Sequence, residues 1–187
     1  MLNNLVLPGN TFLNISTDII YMKPKAILDT SFWIHLVKLD LENKFMNLFE
    51  IIMPKKVEDE ILYSNSFKFM IYKPQDIRVY ENLKSHNKIT ILNPKEIDKK
   101  ISSQISKNSG ELYAIALAKE KNWVVFIDNG RPQKYCFENN IQTGTIIDFL
   151  IHLKNENIIG SKEIEKKIEL IKNSLSKKYL DQIKKYL

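Results

Sequence analysis

Two short runs constrain this chain more than any other feature. Ala26-Ile27-Leu28 and Val124-Val125-Phe126-Ile127 are apolar at every position, and each runs directly into an aspartate, Asp29 and Asp128. A strand with one wet face alternates polar and apolar residues. A strand apolar throughout is covered on both faces, as in a parallel sheet sandwiched between helices. The sequence around the runs has the matching helical periodicity. Phe32, Trp33, Leu36, Val37 and Leu39 have helix-like spacing, and a second helical stretch covers Leu41 to Phe49. Ile51-Ile52-Met53 is a short strand candidate, and Pro54 suits the first turn of a helix that buries Val57 and Ile61. From Ser109, Leu112, Ile115 and Ala116 mark a helix to Lys121, Pro132 opens another, and Ile141-Gln142 is a short extended piece. Gly144-Thr145 then leads into a helix to about Asn155. The expected fold class is α/β: a three-layer α/β/α sandwich around a central, mainly parallel sheet, followed by a C-terminal amphipathic helical tail. Between Tyr63 and Gln104 the period weakens; Phe67, Phe69, Met70 and Ile71 are apolar without a period, and Lys88 to Leu92 reads as a strand.

At 187 residues the chain suits one domain with an appendage. We expect an irregular N-terminal extension over 1–24, the α/β domain over 25–159, and a basic helical tail over 160–187. The tail carries Ile164, Ile168, Ile171, Leu175 and Tyr179 on one side, and its eight Lys against four acidic residues from Ser161 supply +4 of the net +6. The apolar stripe is expected to pack on the domain, with the Lys face adding salt-dependent attraction to phosphate. A single cysteine, Cys136, excludes a disulfide framework or a Cys-based zinc cluster. No apolar run approaches the ~20 residues of a membrane-spanning helix, and the N-terminus lacks the pattern of a signal peptide. A cytoplasmic protein with no membrane partner is expected, and a pI of 9.2 suits a polyanionic one.

Ligands of open parallel sheets bind beyond the carboxyl ends of the strands. Asp29 and Asp128 stand at that end. Glu60, in Pro54-Lys55-Lys56-Val57-Glu58-Asp59-Glu60, and Glu111, in Ser109-Gly110-Glu111, stand on helices that follow strands or loops. Each acid alone has an ordinary structural use. Asp29 or Thr30 would cap a helix, Glu60 would be solvated beside Glu58 and Asp59, Glu111 would favour a first turn, and Asp128-Asn129-Gly130 is a turn sequence. Together they describe a carboxylate cluster that repels itself without a cation, and an all-oxygen site suits Mg²⁺ or Mn²⁺. His35, His86 and His152 are far apart in sequence and are expected on the surface or in packing. Phosphatases of the haloacid-dehalogenase type need an Asp-x-Asp after the first strand, and Ser31 occupies the second position here. The acidic pair and downstream Lys of a receiver domain are missing too.

Ala26-Ile27-Leu28-Asp29-Thr30-Ser31-Phe32-Trp33-Ile34 resembles the opening strand and helix of PIN-domain nucleases, the fold of VapC-type toxin ribonucleases. Pro54 to Ile61, Gly110 to Ala118, Val125 to Arg131 and Ile141 to Thr145 resemble, in order, the segments bearing that family's second acid, third acid, last acid and Gly-Thr turn. The resemblance spans roughly 25 to 159. It implies a metal-dependent endoribonuclease in which Asp29, Glu60, Glu111 and Asp128 are catalytic and hold Mg²⁺ or Mn²⁺. In-line attack would leave a 5′-phosphate and a 3′-hydroxyl. Thr30, Ser31, Asn129 and Thr145 would hydrogen-bond around the metal site, and Arg131 would contact phosphate. An antitoxin partner and a homodimer are further expectations of the resemblance. Two features depart from it: Asn129 stands where many relatives have a second Asp, and small toxins of the family generally lack the N-terminal extension and basic tail. The alternatives are a PIN-like module that binds RNA or a protein without cutting, and a nuclease that cleaves DNA.

Overall fold

In a computed structural model, the described residues are 6–7, 11–12, 22–63, 74–175, 177–184 and 186. Phe67, Phe69, Met70 and Ile71, singled out above, lie outside them, as does the side chain of Tyr179. Near the N-terminus, β1 (Val6–Leu7) and β2 (Thr11–Phe12) form an antiparallel pair. The central sheet contains β3 (Lys25–Leu28), β4 (Glu50–Met53), β5 (Ile89–Ile91), β6 (Val124–Phe126) and β7 (Thr143–Gly144). Its order is β5-β4-β3-β6-β7, and every pairing is parallel. The chain winds outward from β3 through β4 to β5 and then crosses to the other side of β3 for β6 and β7. The reversal between β3 and β6 is where such sheets open a ligand crevice.

Alternating strand residues feed two buried clusters, which explains the all-apolar runs. Ala26, Leu28, Ile51, Met53, Val124 and Phe126 face one side; they pack against helices α1 (Thr30–Lys38), α2 (Glu42–Leu48), α3 (Lys55–Tyr63), α4 (Pro74–Ser85) and α8 (Ile146–Asn155). Ile27, Ile52, Val125 and Ile127 face the other; they pack against α5 (Lys99–Gln104), α6 (Gly110–Lys121) and α7 (Gly130–Glu138). This is the three-layer α/β/α sandwich expected from the sequence. Aromatic rings cement the first side: Phe126 stacks at tilted or edge-on angles with Phe32, Phe45 and Phe49, at centroid distances of 4.8, 5.0 and 5.3 Å.

The last strand falls two residues after the expected extended piece at Ile141-Gln142. Phe126 is paired with Gly144, and a Cβ there would stand 2.7 Å from the Phe126 ring, so the register selects the glycine. The weakly periodic region holds α4 and α5. The tail is a helix pair, α9 (Ser161–Ile171) and α10 (Lys177–Lys184), separated by a 3₁₀ turn over Lys172–Ser174. Ile164, Ile168 and Ile171 of α9 and Ile183 of α10 are buried in the same cluster as β3. Lys167 Nζ also donates to the carbonyl of Leu39 at the end of α1, at 2.6 Å. Among the described residues no helix is long and apolar enough to cross a membrane.

Candidate functional site

The first helix begins on an acid. Asp29 ends β3 in extended conformation, and its Oδ1 accepts the Phe32 N–H at 2.9 Å, so it caps α1. The Ser31 hydroxyl lies 3.0 and 2.9 Å from the two Asp29 oxygens and donates to that carboxylate. The same Ser31 oxygen accepts the backbone N–H of Asp128 at 3.1 Å, joining the ends of the two adjacent strands. Asp128 is itself held at both oxygens. Oδ1 accepts the Ile146 N–H at the start of α8 at 2.8 Å, and Oδ2 accepts from His35 Nδ1 at 2.7 Å.

The two glutamates arrive from helices on different sides of the sheet. Thr30 Oγ1 donates to Glu60 Oε2 at 2.5 Å, and the Gly110 N–H donates to Glu60 Oε1 at 2.6 Å. Glu111, next along α6, accepts from Asn129 Nδ2 at 2.7 Å. Sequence adjacency closes the ring. Asp29-Thr30-Ser31, Gly110-Glu111 and Asp128-Asn129 are covalent segments, and hydrogen bonds link each to the next through Glu60 and Ser31. All four acids therefore lie on one hydrogen-bonded circuit at the carboxyl edge of β3 and β6.

The circuit is electrostatically costly. Burial pushes the Asp29 carboxyl well above the usual carboxylate range; the bonds from Phe32 and Ser31 oppose this, and the nearby charges of Asp128 and Glu111 add to it. Asp29 is 1 % exposed. Burial also raises Glu111; Asn129 counters it and Glu60 reinforces it. Such a set accepts positive charge readily, and its oxygens are the donors that Mg²⁺ and Mn²⁺ prefer. As the side chains stand, though, no three Asp, Glu, His or Cys residues among those described come together closely enough to hold one ion. Both oxygens of Asp29, Glu60 and Asp128, and Oε1 of Glu111, are engaged in the hydrogen bonds above.

The flanking residues divide. Thr30 and Ser31 touch the acids directly, and Asn129 both bonds Glu111 and caps α7 through the Arg131 N–H at 3.4 Å. Thr145 does not touch the acids: its hydroxyl caps α8 in a reciprocal box with Asp148, and only its neighbour Ile146 reaches Asp128. Arg131 is exposed in the first turn of α7.

A PIN-domain family model, DUF3368, matches residues 25–185, most of the chain. The chain belongs to the PIN-domain family. This is a nuclease-type fold, and the matched region runs through α9 and the whole of α10. No curated protein matches the chain.

Two features of this PIN domain differ from the sequence expectation. Glu58 is not a solvated helix acid: it is buried, accepts from Tyr80 at 2.7 Å and Lys55 at 2.7 Å, and pairs with Lys84. These partners outweigh its burial and hold it down at about 2. His35 is not simply a surface or packing residue, because it is bonded to a candidate site acid. Its spacing was a usable signal. Ser31 and His35 are four apart on a helix opened by a strand-end acid, so they share a face turned toward that edge.

Proposed function

We propose that this PIN domain is a metal-dependent endoribonuclease. The observation that carries the reading is the circuit through Asp29, Glu60, Glu111 and Asp128 at the sheet's topological switch point. These carboxylates would hold Mg²⁺ or Mn²⁺ once small side-chain rotations bring them around one ion, with their hydroxyl, backbone and imidazole partners still in place. The ion would neutralise charge on a scissile phosphate and lower the pKa of an attacking water. The chain's own residues do the rest. Ser31 keeps Asp29 and Asp128 in register, Thr30 and Gly110 fix Glu60, and Asn129 orients Glu111. Arg131 and the Lys face of the tail offer positive charge to the RNA backbone. Burial of Cys136, which pushes its thiol to about 12, leaves no reactive thiol and suits a cytoplasmic setting.

A toxin role within a toxin–antitoxin pair, with a homodimeric form, rests on the resemblance to VapC-type ribonucleases. Growth arrest on expression of the wild type and not of Asp29→Asn would support it. A second reading, a PIN module that binds RNA or a protein without cutting, is favoured by the committed carboxylate oxygens. The deciding experiment incubates the protein with end-labelled single-stranded RNA and matching DNA in Mn²⁺, Mg²⁺ or EDTA, beside Asp29→Asn. Metal-dependent RNA cutting lost in the variant supports the nuclease, DNA cutting redirects it, and RNA binding without turnover on total cellular RNA supports the module.

A further inference from the structure

His35 plays no part in the chemistry above, yet its ring joins the site to the far end of the chain. Nδ1 donates to Asp128 Oδ2 at 2.7 Å, and Nε2 is hydrogen-bonded to Ser174 Oγ at 2.8 Å. The Ser174 hydroxyl gives its one hydrogen to the Ile171 carbonyl at 2.7 Å, which ties it to the last turn of α9, and its oxygen faces Nε2. The side chains of His35 and Asp128 are 7 % and 1 % exposed, so the bond between them lies out of solvent, while Ser174 at the ring's other end is exposed. α9 is itself fixed by buried Ile164, Ile168 and Ile171.

Satisfying a buried imidazole needs only a nearby carbonyl, but here the ring spans two distant elements and touches an acid of the circuit. Contacts at both ring nitrogens restrain the imidazole, and the bonds from His35 and Ile146 hold the Asp128 carboxylate in one orientation. Residues that orient a ligating group in this way change metal affinity by about 10–100-fold when removed. We propose that His35 is a positioning residue for Asp128, and that the C-terminal helix pair completes the metal-binding edge by holding His35 through Ser174. The proposal rests on the metal-dependent reading above.

The test uses the full-length chain and Mn²⁺ alone, titrated calorimetrically, with thermal unfolding followed in parallel. His35→Leu is expected to weaken Mn²⁺ binding by about tenfold. His35→Asn, whose amide N–H lies near the position of Nδ1, is expected to recover most of that loss. Ser174→Ala should weaken binding about threefold, a share of the full effect of losing the ring's contact, while Ser174→Thr keeps the hydroxyl and the affinity. Lys167→Ala removes a different tie between α9 and α1, so it should lower Tm without changing the affinity. The proposal is overturned if His35→Leu, or Ser174→Ala where the leucine variant does not fold, lowers Tm at unchanged Mn²⁺ affinity. It is equally overturned if Lys167→Ala weakens binding as much as Ser174→Ala. A wild-type chain that binds no more Mn²⁺ than Asp29→Asn overturns the metal reading itself, which separates the two failures.

Discussion

Gly110 and Glu60 are fitted to each other from opposite layers of the sandwich. The glycine N–H donates to one carboxylate oxygen at 2.6 Å, and a Cβ on Gly110 would stand 2.5 Å from the other. No side chain larger than hydrogen leaves that carboxylate in place. Gly110→Ala is expected to displace Glu60 and press on Val57, whose methyl lies 3.0 Å from the added carbon. Overpacking of this size costs about 1–3 kcal/mol. The variant should stay folded by circular dichroism with a Tm a few degrees lower, while its metal-dependent cleavage rate falls at least tenfold. An unchanged rate would sever Glu60 from the chemistry.

Asp29 gives the metal-free protein a pH signature. Its carboxyl is raised in the folded state, so the folded chain binds more protons than the unfolded one. Its contribution to stability is therefore best at low pH and declines as pH rises from the ordinary carboxylate value toward the raised one. Asp29→Asn keeps a capping oxygen and removes the charge. Without metal, the variant should unfold at a higher temperature than wild type near neutral pH, with the gap closing in acid. Urea titrations at several pH values in EDTA check this, and a wild type more stable than the variant at pH 7 would contradict it.

Asn129 now donates to Glu111 at 2.7 Å. Asn129→Asp removes that donor and places a second carboxylate beside the half-buried Glu111. The metal-free protein should lose stability, and Mn²⁺ should raise its Tm by more than it raises that of wild type, because the cation offsets more repulsion. Equal shifts in both proteins would place Asn129 outside the cation's reach.

Glu58 locks α3, the helix that carries Glu60, to α4. Its carboxyl is held at about 2, below its ordinary value of 4.5, so its contribution is present above pH 4.5 and is lost as pH falls toward 2. Glu58→Gln should cost about 1.5–3 kcal/mol near neutral pH, the range for hydrogen bonds to a charged group. The acid arm of the stability curve should flatten between those pH values.

The fold was readable because its strands are covered on both faces: an all-apolar run such as Val124 to Ile127 has few other homes. The acids at the ends of those runs were readable for the same reason, since a strand that stops on an aspartate places it at the sheet edge. What escaped notice depends on distant partners. Glu58 and Glu60 are indistinguishable as sequence, and only the arrival of Tyr80 and Lys84 buries one of them. The role of His35 depends on Ser174, and no local pattern reports a bond across that separation. The final strand was displaced by two residues because the choice of Gly144 depends on the Phe126 ring in the neighbouring strand. Between Tyr63 and Gln104, α4 contributes few buried apolar residues beyond Tyr80, so its periodicity was faint.

The pairing of β3 with β6 sets Ala26, Ile27 and Leu28 beside Val124, Val125 and Phe126. A growing polypeptide on the ribosome therefore carries Asp29, Glu60 and Glu111 well before it has anywhere to assemble them. The edge forms only once β6 has emerged and inserted beside β3, and the bond from Ile146 to Asp128 waits longer still. Translation itself thus delays the site, and fragments cut short before Asp128 carry most of its acids without forming it.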